Sequence, residues 1–432
     1  MSASLMWAIG FLAFLVVGVP IPVAIGIAAT LAISFTDLMP MSSVATLMFN
    51  GVANYTMVAI PLFMMAGLFM SSGSIAQRIF DLARELVGWT RGSMGHVNVV
   101  ASMIFGGISG SSLADTAGLG PIEMEAMKKF GYPDDYSAAI TVASSTLAVM
   151  IPPSLVLVFY AIVAEQSVGA CLLAGLLPGI MVGFSLMLVN AIYARKFGWD
   201  AANKFSWRSL RTKASDGFWA VVAPLFILMA ILTGWVTATE AAALTVIYCL
   251  LIEAFVFKTL DRSQMLPTIL VTGRRVGAVL LSVACGSLVS VILTMENTPV
   301  RVAKAVTELT SSPLMILVLV NIILLIAGCF MDNVFIILVF VPLLLPLMKA
   351  IGVHPIHFGV IVTVNTSIGL LTPPVGGCLF VIMAVTKIPM ERIVRALLPF
   401  LLVLVVDLLL LTYVADISMV LPNIYLRLIA PH

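Results

Sequence analysis

Apolar residues fill this chain in long blocks, and polar residues break the blocks at intervals instead of alternating with them. Runs of roughly 20 apolar residues recur from Leu5 to Tyr413, each long enough for a helix to cross a hydrocarbon layer about 30 Å thick. On that pattern about ten to twelve passes are predicted. Two stretches differ. In Ser74 to Gly92 and Thr298 to Ser312, Arg, Asp, Glu and Lys interleave with apolar residues, as in helices lying in the plane of a membrane interface. Each is followed by an apolar run of hairpin character, Met94 to Lys129 and Pro313 to Lys349, with a small or polar tip at its middle: Gly106 to Gly118 and Gly328 to Asn333. After each hairpin comes a span interrupted by a proline doublet, Ser144 to Ser154 and Asn365 to Gly377.

These features are duplicated. Sliding the sequence on itself by 221 residues aligns Gly107 with Gly328, Pro121 with Pro342, Gly131 with Gly352, Pro152-Pro153 with Pro373-Pro374, and Pro178 with Pro399. Four of the five prolines between 107 and 180 find a partner, so a repeated structural unit is the better account than chance. The fold class predicted is an all-α polytopic membrane protein built as an inverted repeat, with two re-entrant helical hairpins and two Pro-Pro-broken transmembrane helices. The expected division is 1–73 and 217–297 as scaffold helices, 74–92 and 298–312 as interfacial arms, 93–197 and 313–432 as transport cores, and 198–216 as a cytoplasmic linker.

Composition narrows the class of protein. Apolar residues make up 61% of the chain and charged residues 10%, and mean hydropathy is +1.16, more apolar surface than a water-soluble shell covers. The net charge of +2 is spread without a basic stripe, which argues against nucleic-acid binding. Cys171, Cys249, Cys285, Cys329 and Cys378 all lie in apolar segments, where thiols act as small packing groups. His96, His354 and His357 have no metal-ligand spacing and read as structural. Met1 to Leu5 lacks the basic region of a cleaved signal, so the first apolar segment reads as a retained span. Lys and Arg gather in cytoplasmic loops, and one alternation places 18 of the 22 basic residues there, with Arg301, Lys304, Lys349 and Arg427 outside. That alternation needs two segments that enter and leave on one side. It also starts the two repeats on opposite faces.

The chemistry is expected at the tips and breaks. A proline doublet removes amide donors and clashes with the preceding turn, so it unwinds the helix and frees carbonyls; freed carbonyls and hydroxyls suit a hard cation such as sodium, and helix amino ends suit an anion. One ion is expected among Gly107, Ser109, Ser145, Ala148, Ile151 and Ser154, and its counterpart among Gly328, Asp332, Gly369, Thr372 and Val375. Anion recognition is expected from Ser111, Ser112, Asn333, Asn365 and Thr366, with Asp115, Pro153 and Pro374 beside them, and no Lys or Arg stands in the tips to clamp a carboxylate. Asp115 reads either as a functional carboxylate or as a cap on the hairpin's return helix. Glu123 and Glu125 read as a salt-bridged face with Lys128 and Lys129, and Asp407 as an interhelical hydrogen-bond partner or a coupling residue. Neither an uninterrupted polar path for a channel nor a nucleophile and base for an enzyme is visible.

At this point the residues resemble a known family, the large membrane subunit of tripartite ATP-independent periplasmic (TRAP) transporters, over nearly the whole chain. The resemblance is carried by GGISGSSLADTAGLGPIEMEAMKKFGY (Gly106 to Tyr132), IPPS (Ile151 to Ser154), MDNVFIILVFVPLLLPL (Met331 to Leu347) and TPPVGG (Thr372 to Gly377). It implies an elevator-type sodium symporter importing an organic anion, commonly a C4-dicarboxylate, another carboxylate or a sialic acid, across a bacterial inner membrane. It further implies no cofactor beyond the coupling ion Na+, and two partners: a separate small four-helix membrane subunit and a periplasmic binding protein that delivers the substrate. The family's ion sites, carried over, fall on the same glycines and Pro-Pro breaks. Ala148-Val149 stands where the family usually has Gly-Pro.

Overall fold

The computed structural model describes residues 2–72, 75–259, 262–310 and 312–429. Met1, Gly73, Ser74, Leu260, Asp261, Ser311 and the last three residues, which the expected segments include, lie outside the described residues. The chain runs through α1 (Ala3–Val16), α2 (Ile21–Thr36), α3 (Ser42–Val52), α4 (Ala59–Ser72) and the amphipathic α5 (Ile75–Val87). Then come α6 (Ser93–Ser109), α7 (Ser112–Gly118), α8 (Gly120–Lys129), α9 (Asp134–Ser144), α10 (Leu155–Val163) and α11 (Val168–Phe197). The second half has α12 (Trp207–Leu232), α13 (Ala238–Leu251), α14 (Arg262–Met295), α15 (Thr298–Leu309), α16 (Pro313–Phe330) and α17 (Asn333–Ala350). It ends with α18 (Pro355–Gly369), α19 (Gly377–Thr386), α20 (Met390–Tyr413) and α21 (Ala415–Ile429).

Local chemistry sets these boundaries. Ser154, Ser167 and Ser206 each accept a backbone N–H from the first turn of the helix they precede, and Thr237 forms a reciprocal capping box with Glu240; such caps satisfy donors that have no partner inside the helix. Proline opens α16 and α18, where the missing N–H costs nothing. Gly198 closes α11 in the left-handed conformation that only glycine adopts cheaply. α12 begins at Trp207, inside the 198–216 segment expected as linker.

The duplication extends through almost every element. Ser112 and Asn333, the first residues of α7 and α17, are 221 residues apart, and so are Asp134 and Pro355, which open α9 and α18. At the same shift, within a few residues, α5 matches α15, α6 matches α16, α10 matches α19 and α11 matches α20, while α3 and α4 together match the continuous α14. Among the described residues six helices are long and apolar enough to cross a bilayer, or eight if the two bent pairs each count once; α3 and α4 are one such pair, meeting at 59°. The ten to twelve passes expected exceed this because α1, α2 and α19 have only 14, 16 and 10 residues, about 15–24 Å of helix against a core of about 30 Å.

One apolar cluster joins α1, α2 and α14 through Trp7, Phe11, Ile25, Ile33, Leu288 and Ile292, and reaches α17 at Phe335. A larger one runs through the hairpins, the broken spans, α11 and α20, around Phe105, Phe159, Tyr160, Phe358 and Phe400. The five cysteines are unpaired, four of them buried. Cys285 packs on Gly26, where an added Cβ would lie 2.7 Å from its sulfur. His357 bonds Ser418 Oγ at 2.6 Å and the Thr412 carbonyl at 3.3 Å.

Candidate functional site

The two hairpin tips are built alike. α6 stops at Gly110, whose positive φ of 60° and contact with Leu155 N, 2.8 Å from where a Cβ would sit, both demand glycine. Ser111 then caps α7, its Oγ accepting from Ala114 N at 3.5 Å. In the second hairpin Met331 closes α16 and Asp332 caps α17, accepting from Val334 N at 3.3 Å. Ser111 and Asp332 are the same position of the repeat, 221 apart. The cap on the first return helix is therefore Ser111 and not Asp115, whose Oδ2 instead accepts from Ser102 Oγ at 2.9 Å.

Each proline doublet breaks its span as expected. Both α9 and α18 pass through tight turns before the doublets, and both Pro-Pro bonds are cis. Among the described residues no backbone N–H donates to the carbonyls of Ile151, Pro152 and Pro153, or to those of Thr372, Pro373, Pro374 and Val375. Pro152 and Pro153 are buried, where carbonyls are nearly always paired, so their free oxygens are a feature to be explained; Pro373, Pro374 and Val375 are exposed. Nearby hydroxyls spend their protons on the helix: Ser145 on Val142 O at 2.7 Å, Thr366 on Thr363 O at 3.3 Å, Thr372 on Ile368 O at 2.8 Å, and Ser154 on Val149 O. Each hydroxyl oxygen retains acceptor capacity, although Ser154 Oγ also accepts from Leu157 N at 3.1 Å.

Tips and breaks touch. A Cβ on Gly107 would lie 2.9 Å from the Pro152 carbonyl oxygen, and one on Gly110 3.2 Å from that of Pro153. In the second copy Gly328 and Gly369 meet backbone to backbone, and Gly376 N donates to Cys329 O at 3.3 Å. Ala148 packs on Gly106 in the first copy, where an added Cβ would come within 2.5 Å of its Cα. Of the expected ion-site residues, the contacts join Gly107 to the break at Pro152, and Gly328 to Gly369 in the second copy, with Ala148 packed on Gly106. Carbonyl and hydroxyl oxygens without acidic crowding fit a hard monovalent cation, and among the described residues no three His, Cys, Asp or Glu gather as for a soft metal.

Between the tips and helices α4 and α14 lies a cavity of 390 Å³. Ser109, Ser111, Ser112, Asp332 and Asn333 line it, against apolar walls that include Ile60, Phe159 and Leu370. Ser109 Oγ, Ser112 Oγ and Asn333 Oδ1 are buried with no hydrogen-bond partner among the described residues. Asn365 and Thr366 do not line the cavity; both are fully buried behind it, Asn365 donating to Asn321 Oδ1 at 2.8 Å. Pro153, Pro374 and Asp115 also stand outside its wall.

Two residues were missed. Arg275, on α14, lines the cavity beside the serines; the sequence signal was a basic pair, Arg274-Arg275, well inside a helix of 34 residues. Glu123 does not belong to a salt-bridged face. Glu125 does, pairing with Lys129 at 2.6 Å in solvent, but Glu123 is fully buried and accepts from Asn98 Nδ2 at 2.8 Å. Asn98 also bonds Thr141 and Ser144, and Ser144 bonds Ser102, so one buried polar chain joins Glu123 to Asp115. Asp407 accepts from Ser185 at 2.9 Å, the interhelical bond expected.

Residues 8–417 match the family model described as the DctM component of the tripartite ATP-independent periplasmic transporter. The chain is 39% identical over 400 residues to the C4-dicarboxylate TRAP transporter large permease protein DctM of Pseudomonas aeruginosa, covering 93% of this chain and 94% of the relative. It is 34% identical over 417 residues to the sialic acid TRAP transporter large permease protein SiaM of Vibrio cholerae, covering 96% and 98%. The solved structure of the Alcanivorax borkumensis YdaH transporter shares the fold, with a TM-score of 0.63 at 14% identity over 87% of this chain and 88% of that one.

Proposed function

Because this chain belongs to the DctM-component family of tripartite ATP-independent periplasmic transporters, we propose that it imports a small organic acid across a bacterial inner membrane by sodium-coupled symport. Two repeats of opposite orientation hold the cargo between re-entrant hairpin tips inside the membrane. The observation that carries this reading is the pairing of each tip with a proline-broken span whose carbonyls at the doublet accept no backbone hydrogen bond among the described residues. Sodium binds at the two junctions, in the residue sets named above, with Ser145 beside the first. Its charge then offsets that of an anion held at Ser111, Ser112 and Asn333, which line the cavity. Asn365, Thr366, Asp115, Pro153 and Pro374 support those groups from behind.

The hairpins, broken spans, α11 and α20 form the moving body of an elevator, and α1 to α4 with α12 to α14 form its frame. A small four-helix membrane subunit widens the frame, and a periplasmic binding protein delivers the acid. The relatives' names mention C4-dicarboxylate and sialic acid, and one that of isethionate, so the cargo class is a small organic acid that is anionic at neutral pH. The test is reconstitution with both partner subunits and measurement of labelled-acid uptake under an inward sodium gradient, an inward potassium gradient or neither. Accumulation under sodium alone is expected; equal accumulation under potassium would overturn the coupling, and no accumulation of any acid would overturn the carrier reading.

A further inference from the structure

The cavity wall includes an arginine, Arg275 on α14, and the hydroxyl and amide groups at the tips do not need it for their own packing. Arg275 lines it together with Ser111, Ser112 and Asn333, and although Asp332 lines it too, Arg275 forms no ion pair within 4.0 Å among the described residues. An arginine at membrane depth is costly and marks a substrate path or a partner. One that merely snorkelled would reach for the headgroups, away from the protein; this one lines a cavity whose other polar residues include unpartnered, buried Ser109, Ser112 and Asn333.

The element that carries it matters as much as the charge. α14 packs against α2, α3 and α4, the frame helices, and meets α17 on another face. From Val276 to Met295 the helix covers about 30 Å, one hydrocarbon thickness, so Arg275 sits where the apolar core begins, on the side that Arg262 and Arg274 mark as cytoplasmic. The hairpin tips stand at that level here.

We propose that Arg275 is the counter-charge for a carboxylate or sulfonate of the cargo, supplied by the frame and not by the moving body. It meets the cargo only while the tips stand opposite the cytoplasmic part of α14, and it stays behind when they leave. Its planar fork of donors suits a carboxylate bidentately, while Ser111, Ser112 and Asn333 travel with the cargo. The inference rests on the carrier reading above, and it adds the residue that recognises the charge of the cargo in the inward position.

The test uses the full three-subunit system in proteoliposomes, with succinate, N-acetylneuraminate, isethionate and 2,3-diketogulonate as probes, for wild type, R275Q and R275K. For the acid that wild type accumulates, R275Q raises the apparent KM by roughly tenfold to a hundredfold, the loss of one charge-assisted bond. R275K recovers part of it, and the sodium concentration for half-maximal uptake stays unchanged. In detergent, the thermal shift given by millimolar probe is lost in R275Q and the shift given by sodium is kept, a split that a merely structural role does not produce. A KM within about twofold of wild type in R275Q, or joint loss of both shifts, overturns the proposal. If R275Q does not fold, R275K decides: an unchanged KM overturns it. If wild type carries none of the probes, the carrier reading falls and this inference falls with it; wild-type uptake matched by R275Q overturns this inference alone.

Discussion

A carboxylate stripped of water inside a bilayer protein needs donors, and Asn98 supplies one to Glu123 while holding Ser144, the next link toward Asp115. It donates to Glu123 at 2.8 Å and to Thr141 at 2.7 Å, and accepts from Ser144 at 2.7 Å. Asn98→Ala therefore strands two buried groups at once, and we expect a loss of about 1–3 kcal/mol, measured by thermal unfolding of the detergent-solubilised protein. Lys129→Ala removes an ion pair whose side chains are 68% and 71% exposed and should shift the same transition by less than about 0.5 kcal/mol. The contrast separates two acids only two positions apart. In the sequence Glu123 and Glu125 look alike because both precede Lys128 and Lys129; which of them turns inward depends on the direction of the return helix against α6 and α9, which no local pattern records. Ser111, Ser112 and Asn333 were legible as tip residues because small and polar residues stand out in an apolar run. Arg275 was not, since a basic residue reads as a loop marker until the start of its helix is known.

At the scale of elements, the two tip-break junctions are the same device in different register. In the second, Gly328 and Gly369 touch through their backbones, and a Cβ on Gly369 would lie 2.4 Å from Gly328 Cα. No side chain is present there to rotate away. Gly369→Ala should therefore push hairpin and break apart, lowering stability by about 1–3 kcal/mol and raising the sodium required for half-maximal uptake. Gly10→Ala, at mid-helix in α1 with only ordinary 3.5 Å contact to Ala28, should be neutral or slightly stabilising. The first junction carries a methyl group at Ala148, so the close approach comes from Gly106 instead of Gly107. Proline spacing made both breaks visible in the sequence because the physics of a proline doublet is local. The one-residue displacement was hidden because it arises from the packing of two chain segments about 40 residues apart, of the order of a whole hairpin.

For the whole molecule, the question is whether frame and moving body part company. α14 meets α17 where Gly286 faces Leu338, a Cβ built on the glycine lying 3.2 Å from that of the leucine, close to disulfide geometry. In a chain with its native cysteines replaced, Gly286→Cys with Leu338→Cys should lose uptake on oxidation and regain it on reduction. A lock inside the frame, Gly10→Cys with Ala28→Cys, where a Cβ built on the glycine lies 3.5 Å from that of the alanine, should leave uptake within about a factor of two. Equal effects of both locks would count against relative motion. The duplication itself was legible from prolines alone; the bend that splits α3 from α4 while α14 runs unbroken was not, because matching segments of a repeat need only occupy matching places. The neighbourhood of Gly67 shows what such geometry permits. It lies on α4 directly beneath Ser109, with 3.2 Å between its built Cβ and the serine Cα, so the hairpin there rests on bare peptide. Interlocked side chains act as teeth, and shifting them one turn means that every tooth must find a new notch. A smooth patch has no teeth, so the tip can leave it without emptying a socket, and the friction of the passage must be set elsewhere along the wall.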